Sequence, residues 1–350
     1  MKSLQELIRP NIRNLKPYSS ARDEFHGAAS VFLDANENPY PPASGLAVNR
    51  YPDPMQRALK QRIAELKSIA PEHIFTGNGS DEAIDLIIRT FCEPGRDGIV
   101  SVAPTYGMYE VMADVNDVRY TKVSLDDDFR LDADAVLNAV DEQFTKVIFL
   151  CSPNNPSGNL LDTEQIVRIL KTFDGVVVVD EAYIDFADTL SFTRRLTDFP
   201  NLIVLQTLSK AWGAAGIRLG MAFASEEIIT TFNKVKYPYN VSLTTQEQAL
   251  EILRNEERKN MQVKEILQER SRLAVALREL PFVRRVYPSD ANFILVRFDD
   301  ANATYNYLVD KGIVVRNRNT VALCAGCIRI TVGTPEENAA LVEALKAMKF

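Results

Sequence analysis

Apolar residues along this chain follow two rhythms. Short unbroken runs appear at Gly98-Ile99-Val100-Ser101-Val102, Lys146-Val147-Ile148-Phe149-Leu150, Val176-Val177-Val178-Val179 and Leu202-Ile203-Val204-Leu205. Between them, apolar residues recur at helical spacing. Met55 to Ile69 is one such helix, stopped by Pro71, and Glu82 to Phe91 is another, opened by Ser80-Asp81 as a cap. A continuous β-branched run has no polar face to turn to water, so these runs predict a largely parallel sheet buried on both sides, the α/β class. After Pro238 the rhythm changes. A long helical stretch runs from about Thr245 to about Leu280, followed by the strand Phe293-Ile294-Leu295-Val296-Arg297, a helix near Ala301 to Lys311, two further strands and a last helix from Pro335. That tail reads as a smaller α+β unit, with the long helix as its bridge. The expected division is an N-terminal arm with part of the small domain over 1–48, a large domain over 49–244, a linking helix over 245–280 and a small C-terminal domain over 281–350. Turn signals at Arg9-Pro10-Asn11 and Lys16-Pro17-Tyr18 leave the arm free to pack on the small unit or on a neighbouring subunit.

Composition narrows the class without naming a chemistry. A chain of 350 residues exceeds what one core usually takes, which supports two domains. The net charge of −7 disfavours general nucleic-acid binding. No apolar run approaches the roughly 20 residues of a membrane span. The start, Met1-Lys2-Ser3-Leu4-Gln5-Glu6, lacks a signal-peptide core, so a cytoplasmic location is the expectation. Cys324-Ala325-Gly326-Cys327 spells CxxC, but only His26 and His73 could complete a zinc set. The motif leads into a strand rather than a helix, unlike a thioredoxin-type redox pair, so no metal is expected and the thiols read as incidental.

Candidate chemistry sits where predicted strands end, the edge at which parallel sheets bind ligands. Gly77-Asn78-Gly79-Ser80-Asp81-Glu82 opens a helix whose free N–H groups suit a phosphate, although an ordinary N-cap turn would look the same. Tyr106 follows the strand at 98–102 and could stack on a planar ligand or simply pack. Asn155 lies in a Pro/Asn/Gly turn after the strand at 146–150. Asp180 closes the four-valine run, where a buried carboxylate needs a partner: a protonated ring nitrogen, an arginine or a helix N-terminus. Ser209-Lys210 follows the last run. A lysine at the end of a buried strand is costly unless paired or neutralised, and covalent anchoring of a carbonyl cofactor is one reason to place it there.

Asn155 within Ser152-Pro153-Asn154-Asn155-Pro156-Ser157-Gly158, Asp180 with Tyr183, and Ser209-Lys210 followed by Arg218 in Gly216-Ile217-Arg218-Leu219-Gly220 together resemble the fold-type I pyridoxal-phosphate aminotransferases. The likeness extends over almost the whole chain. Within that group, Leu15-Lys16-Pro17-Tyr18, Leu33-Asp34-Ala35-Asn36-Glu37-Asn38-Pro39, Arg50-Tyr51-Pro52-Asp53, Gly79-Ser80-Asp81-Glu82 and Gly326-Cys327-Ile328-Arg329-Ile330-Thr331-Val332-Gly333-Thr334 resemble the histidinol-phosphate aminotransferase family.

The resemblance implies an α/β large domain with a mostly parallel central sheet flanked by helices, plus a smaller α+β domain. It implies pyridoxal 5'-phosphate as cofactor, with L-histidinol phosphate and 2-oxoglutarate or glutamate as substrates. Lys210 would carry the cofactor as a Schiff base and then move the proton. Asp180 would pair with the ring nitrogen, Asn155 and Tyr183 with the ring's phenolic oxygen, and Tyr106 would stack on the ring. Gly79, Ser80, Asp81, Ser209 and Arg218 would hold the phosphate. Tyr51 would reach the cofactor of a second subunit, which implies a homodimer. Arg329 would bind the substrate's anionic end, helped by Tyr18, Asn36 and Arg316. Arg218 and burial would keep Lys210 neutral. Arg318 reads as a solvated loop charge. Two relatives on the same fold share the pattern, an aromatic amino-acid aminotransferase and a decarboxylase of phosphorylated threonine. A non-catalytic binding protein would have no need of Lys210, Asp180 and Arg218 together.

Overall fold

The computed structural model describes residues 2–18 and 30–348. Seven strands form the larger sheet: β1 (Ile74–Asn78), β2 (Gly98–Ala103), β3 (Arg119–Ser124), β4 (Thr145–Cys151), β5 (Val176–Asp180), β6 (Leu202–Thr207) and β7 (Leu219–Phe223). Their order is β1-β7-β6-β5-β4-β2-β3. From β3 through β6 every pairing is parallel, and only β7 runs against its neighbours β6 and β1. The four apolar runs are β2, β4, β5 and β6, as expected. The valines of β5 explain why the run is unbroken. Val177 and Val179 enter the core on one face of the sheet with Ile148, Val204 and Phe223, while Val176 and Val178 enter the other with Phe149, Leu205 and Ile87. Each such side chain contributes about 1.5–3 kcal/mol on leaving water, so both faces of β5 favour apolar residues.

The helix after β1 spans Gly79–Phe91, three residues earlier than its sequence pattern predicts. Glu82 accounts for the early start. Its carboxylate accepts the backbone N–H of Asn78 at 2.5 Å and so satisfies a donor that would otherwise be orphaned at the helix entrance. The helix expected over 55–69 is shorter, Arg57–Lys67. Asp53 accepts the N–H of Arg57 at its start, and Ser68 ends it in the left-handed conformation.

The bridge expected as one helix is two, Leu243–Leu253 and Glu256–Arg278. Asn255 separates them, because its side chain accepts the N–H of Arg258 and starts the second helix afresh. Beyond lies a four-stranded antiparallel sheet of β8 (Val283–Val286), β9 (Phe293–Phe298), β10 (Arg316–Asn317) and β11 (Cys327–Thr331), in the order β10-β11-β9-β8. One face packs Ile294, Val296, Ile328 and Ile330 against Leu273 and Leu277 of the long helix. The opposite face, with Leu295 and Cys327, joins the core of the larger sheet. Near the N-terminus, Leu4, Leu7 and Ile8 pack into the helical layer of the large sheet rather than on the small one, and Arg9 pairs with Glu93. His26 lies outside the described residues.

Candidate active site

The parallel strands deliver the predicted residues to one cavity. Thr207 ends β6 and leads to Ser209 and Lys210, Asp180 ends β5, Asn155 follows β4 and Tyr106 follows β2. Asp180 lies beside Leu205 in the β5–β6 ladder and beside Cys151 in the β4–β5 ladder, so all these groups share the carboxyl edge of the sheet. The turn Gly79-Ser80-Asp81 and Arg218 close the cavity from the β1–β7 side.

The turn depends on close backbone approach. Gly79 has φ +72°, and its N–H donates to the carbonyl of Arg218 at 2.8 Å. A Cβ on Gly79 would stand 2.7 Å from Nη2 of Arg218. A Cβ on Gly220, in β7, would stand 2.1 Å from the backbone nitrogen of Ser80. Ser80 and Asp81 occupy the first helical turn, where N–H groups have no intrahelical acceptor. Arg218 reaches Asp81 at 3.5 Å, and Tyr106 donates to the same carboxylate at 3.0 Å. On the other side, the hydroxyl of Thr207 donates to that of Ser209 at 3.0 Å.

Asp180 is 2% exposed. Its two recorded donors are neutral: the Tyr109 hydroxyl at 2.7 Å and the Ala182 N–H at 3.1 Å. Burial pushes its pKa up to about 6 against the pull of these donors. A carboxylate in this position is short of a cation. Next to it, Glu181 is also buried and pushed up to about 7, although Ser191, Gln206 and the Phe192 N–H all donate to it. Lys210 lies with its Nζ 5.6 Å from the ring centroid of Tyr183. Its pKa is lowered, first by burial and then by the guanidinium of Arg329, with Arg218 a smaller contributor. The electrostatic neighbour that most favours a neutral Lys210 is therefore Arg329, not Arg218 as the sequence suggested.

Arg329 comes from β11, across the junction between the sheets. It donates to the side-chain oxygen of Asn155 at 2.5 Å and lies 5.2 Å from the Phe293 ring centroid. Tyr183 packs edge-on against that same ring at 5.2 Å. Arg316 is opposite Arg329 in the β10–β11 register but exposed. Three other predicted residues stand away from this cavity in the single chain. Tyr18 is 74% exposed, Tyr51 is half-exposed and stacked on Tyr239 at 4.4 Å, and Asn36 is exposed in the left-handed conformation. Tyr51, Tyr239 and Asn36 line a second, more open cavity.

Sequence reasoning missed two residues. Tyr109, fully buried on the helix Met108–Val115, donates to Asp180, and in the sequence nothing distinguishes it from a core tyrosine. Arg318, read as a solvated charge, is instead part-buried, and burial with Arg329 and Arg316 nearby depresses its pKa to about 10. The four cysteines are buried free thiols, and among the described residues no His/Cys/Asp/Glu group could hold a metal.

The donor set fits a phosphorylated heteroaromatic aldehyde of the expected kind. The glycine turn and Arg218 suit its phosphate, Asp180 lacks only the cation that a protonated ring nitrogen supplies, and a neutral Lys210 is a nucleophile for a carbonyl.

Residues 30–345 match the family described as Aminotransferase class I and II. The chain is 64% identical, over all 350 residues and the full length of both, to a histidinol-phosphate aminotransferase of Parabacteroides distasonis. It superposes on the crystal structure of the histidinol-phosphate aminotransferase of Clostridium acetobutylicum with a TM-score of 0.79 and 25% identity, over 85% of this chain and 90% of that one. The corresponding enzyme of Sinorhizobium meliloti, in complex with pyridoxal-5'-phosphate, gives 0.78 and 26% over 86% and 84%.

Proposed function

We infer, because the chain belongs to the aminotransferase class I and II family, that its cavity transfers an amino group between L-histidinol phosphate and 2-oxoglutarate, giving imidazole acetol phosphate and L-glutamate. This is a step of histidine biosynthesis. The observation that carries the reading is the meeting of Lys210 and Asp180, from the ends of adjacent strands, in one cavity with Arg329 at its rim. The full-length relatives bear the name of this reaction, which supports the choice of substrate.

When bound, pyridoxal 5'-phosphate supplies an aldehyde for a lysine amine and a conjugated ring that accepts the electron pair left when a Cα–H bond breaks. The protein's residues do the rest. Lys210, pushed toward its neutral form by burial and by Arg329, accepts the proton from the substrate's Cα at Nζ and can return it to the carbon two atoms along. Asp180 would hold a positive ring nitrogen, and the Tyr109 hydroxyl donates to Asp180 and holds it in place. Asn155 and Tyr183 would orient the ring's oxygen, and Tyr106 would cover its face. Gly79, Ser80, Asp81, Ser209 and Arg218 fix the phosphate end. Arg329 offers a planar fork that suits either a carboxylate or a phosphate. The two cis X-Pro bonds around Asn155, at Ser152-Pro153 and Asn155-Pro156, belong to the turn that presents it.

Tyr18, Asn36, Tyr51 and Arg316 complete the site in a homodimer, Tyr51 reaching the phosphate of the partner's cofactor. The exposure of Tyr51 and Tyr18 in the single chain supports this, since exposed tyrosines are a surface a partner would cover. Residues 49–244 act as the cofactor-holding domain and 281–350 as the small one. The enzyme works in the cytoplasm; among the described residues no helix is long and apolar enough to cross a membrane.

A panel of amino donors assayed against 2-oxoglutarate tests the reading. Histidinol phosphate is expected to give the highest kcat/KM, and equal or better turnover of phenylalanine refutes the assignment.

A further inference from the structure

Arg316, Arg318 and Arg329 project from one face of the small sheet, near its junction with the larger one. Arg316 and Arg329 are cross-strand partners in the β10–β11 ladder, so their side chains leave the same side of the sheet. Arg318, two residues beyond Arg316, continues that ladder by donating its N–H to the carbonyl of Cys327 at 2.9 Å, and so projects to the same side. This side carries Leu295 and Cys327 into the core of the larger sheet, while the opposite side carries Ile328 and Ile330 into the small one. Arg318 is therefore aimed at the cavity side. Its charge is felt by Tyr183, which lines the cavity, and Arg318 in turn feels the charge of Arg329.

No carboxylate answers these charges. Among the described residues none of the three arginines forms an ion pair, and the Nε atoms of Arg318 and Arg329 are buried without a hydrogen-bond partner. Buried donors in folded proteins are nearly always satisfied, so the open guanidinium nitrogens of Arg318 and Arg329 call for an acceptor; the Nε of Arg297, opposite Cys327 on the same face, is open as well. The segment bearing Arg318 is held in place. The Asn319 side chain accepts the Gly326 N–H at 2.7 Å, and Cys324 and Cys327 close successive turns at 3.0 and 2.9 Å.

We propose that Arg318 is a specificity-determining residue that adds a third guanidinium to the substrate's anion pocket and favours a phosphate dianion over a carboxylate. The inference rests on the aminotransferase reading above. A phosphate monoester carries close to two negative charges and three acceptor oxygens, whereas a carboxylate carries one charge and two oxygens, already matched by the Arg329 fork. The additional cation therefore acts mainly on the phosphorylated donor.

The test uses the holoenzyme in single-turnover half-reactions, with histidinol phosphate and with glutamate, for wild type, Arg318→Gln and Arg318→Lys. In Arg318→Gln, kcat/KM for histidinol phosphate should fall about 30-fold, exceeding the loss for glutamate by about tenfold or more. Arg318→Lys should recover part of the difference, since it keeps the charge but not the fork. Inorganic phosphate should inhibit the glutamate half-reaction of the wild type, and about tenfold more weakly that of Arg318→Gln. Equal losses for the two donors, as a purely structural role predicts, or no loss at all, overturn the proposal. If wild type does not turn over histidinol phosphate, the substrate reading fails. Phosphate inhibition then decides the role of Arg318 alone, and unchanged inhibition in Arg318→Gln refutes it.

Discussion

Replacing Asp180 with Asn should change stability in opposite directions with and without cofactor. In the cofactor-free protein the carboxyl is 2% exposed, forms no ion pair among the described residues, and burial pushes its pKa from the usual 3.8 to about 6. At about 1.4 kcal/mol per pH unit, that gap corresponds to about 3 kcal/mol. The folded state holds a proton on Asp180 between pH 4 and 6 that the unfolded chain has already released. Stability therefore falls as pH rises through this window and stays lower above it. Asn carries no charge to bury, so cofactor-free Asp180→Asn should resist denaturant more than wild type at pH 7.5, by up to about 3 kcal/mol. The advantage should vanish at pH 4. Taking the difference between the two proteins cancels Glu181, which titrates in a neighbouring window. With cofactor bound the order reverses. The variant has lost the partner of a buried cation, a loss of about 3–5 kcal/mol, and turnover should drop about 100-fold or more. Urea unfolding of both proteins, with and without cofactor, from pH 4 to 8 measures all four states. A cofactor-free variant less stable than wild type at pH 7.5, or a difference independent of pH, refutes the account of Asp180.

Three further outcomes follow from the geometry. Lys210→Ala should lower kcat by about 10²–10⁴-fold while retaining the phosphate-binding groups, so cofactor still binds but borohydride no longer fixes it to the protein; near-normal turnover would exclude Lys210 as the proton carrier. Tyr109→Phe removes the shorter of the two hydrogen bonds to Asp180, and cofactor affinity should weaken by about 10-fold, which equilibrium titration reads; unchanged affinity would mean that Tyr109 does not hold the carboxylate. Gly220→Ala places a methyl 2.1 Å from the backbone of Ser80, where no flexible side chain can give way, and should cost about 2 kcal/mol or more in denaturant unfolding; a neutral result would show that the turn can shift.

The parts of the fold legible in the sequence are those whose burial is complete. β4, β5 and β6 lie almost wholly inside the molecule, so their residues leave an uninterrupted apolar run. β3 is an exposed edge with a mixed pattern, and β1 and β7 carry glycines where they pair, Gly77 opposite Gly220, so none of the three leaves such a run. The same division holds at the cavity. Lys210 and Asp180 are conspicuous because charge at the end of an apolar strand is rare. Tyr109 and Arg318 are not, because a helix tyrosine and a loop arginine look ordinary until tertiary contacts bury them. The break at Asn255 was equally hidden, since a capping side chain changes no hydrophobic spacing.

The placement of β1 bears on when the protein can become functional during its synthesis. The Gly79 turn follows β1, yet among the described residues β1 pairs only with β7, whose first residue, Leu219, emerges from the ribosome long after Gly79. At about 5–20 residues per second, that wait lasts about seven to thirty seconds. Until it ends, β1 has no neighbour and the phosphate turn has neither Gly220 behind it nor the Arg218 carbonyl to hold Gly79. The nascent chain is thus expected to expose an unpaired strand, open to association with other chains, for as long as it is unable to capture its cofactor. Pairing of β7 would end both conditions in one event.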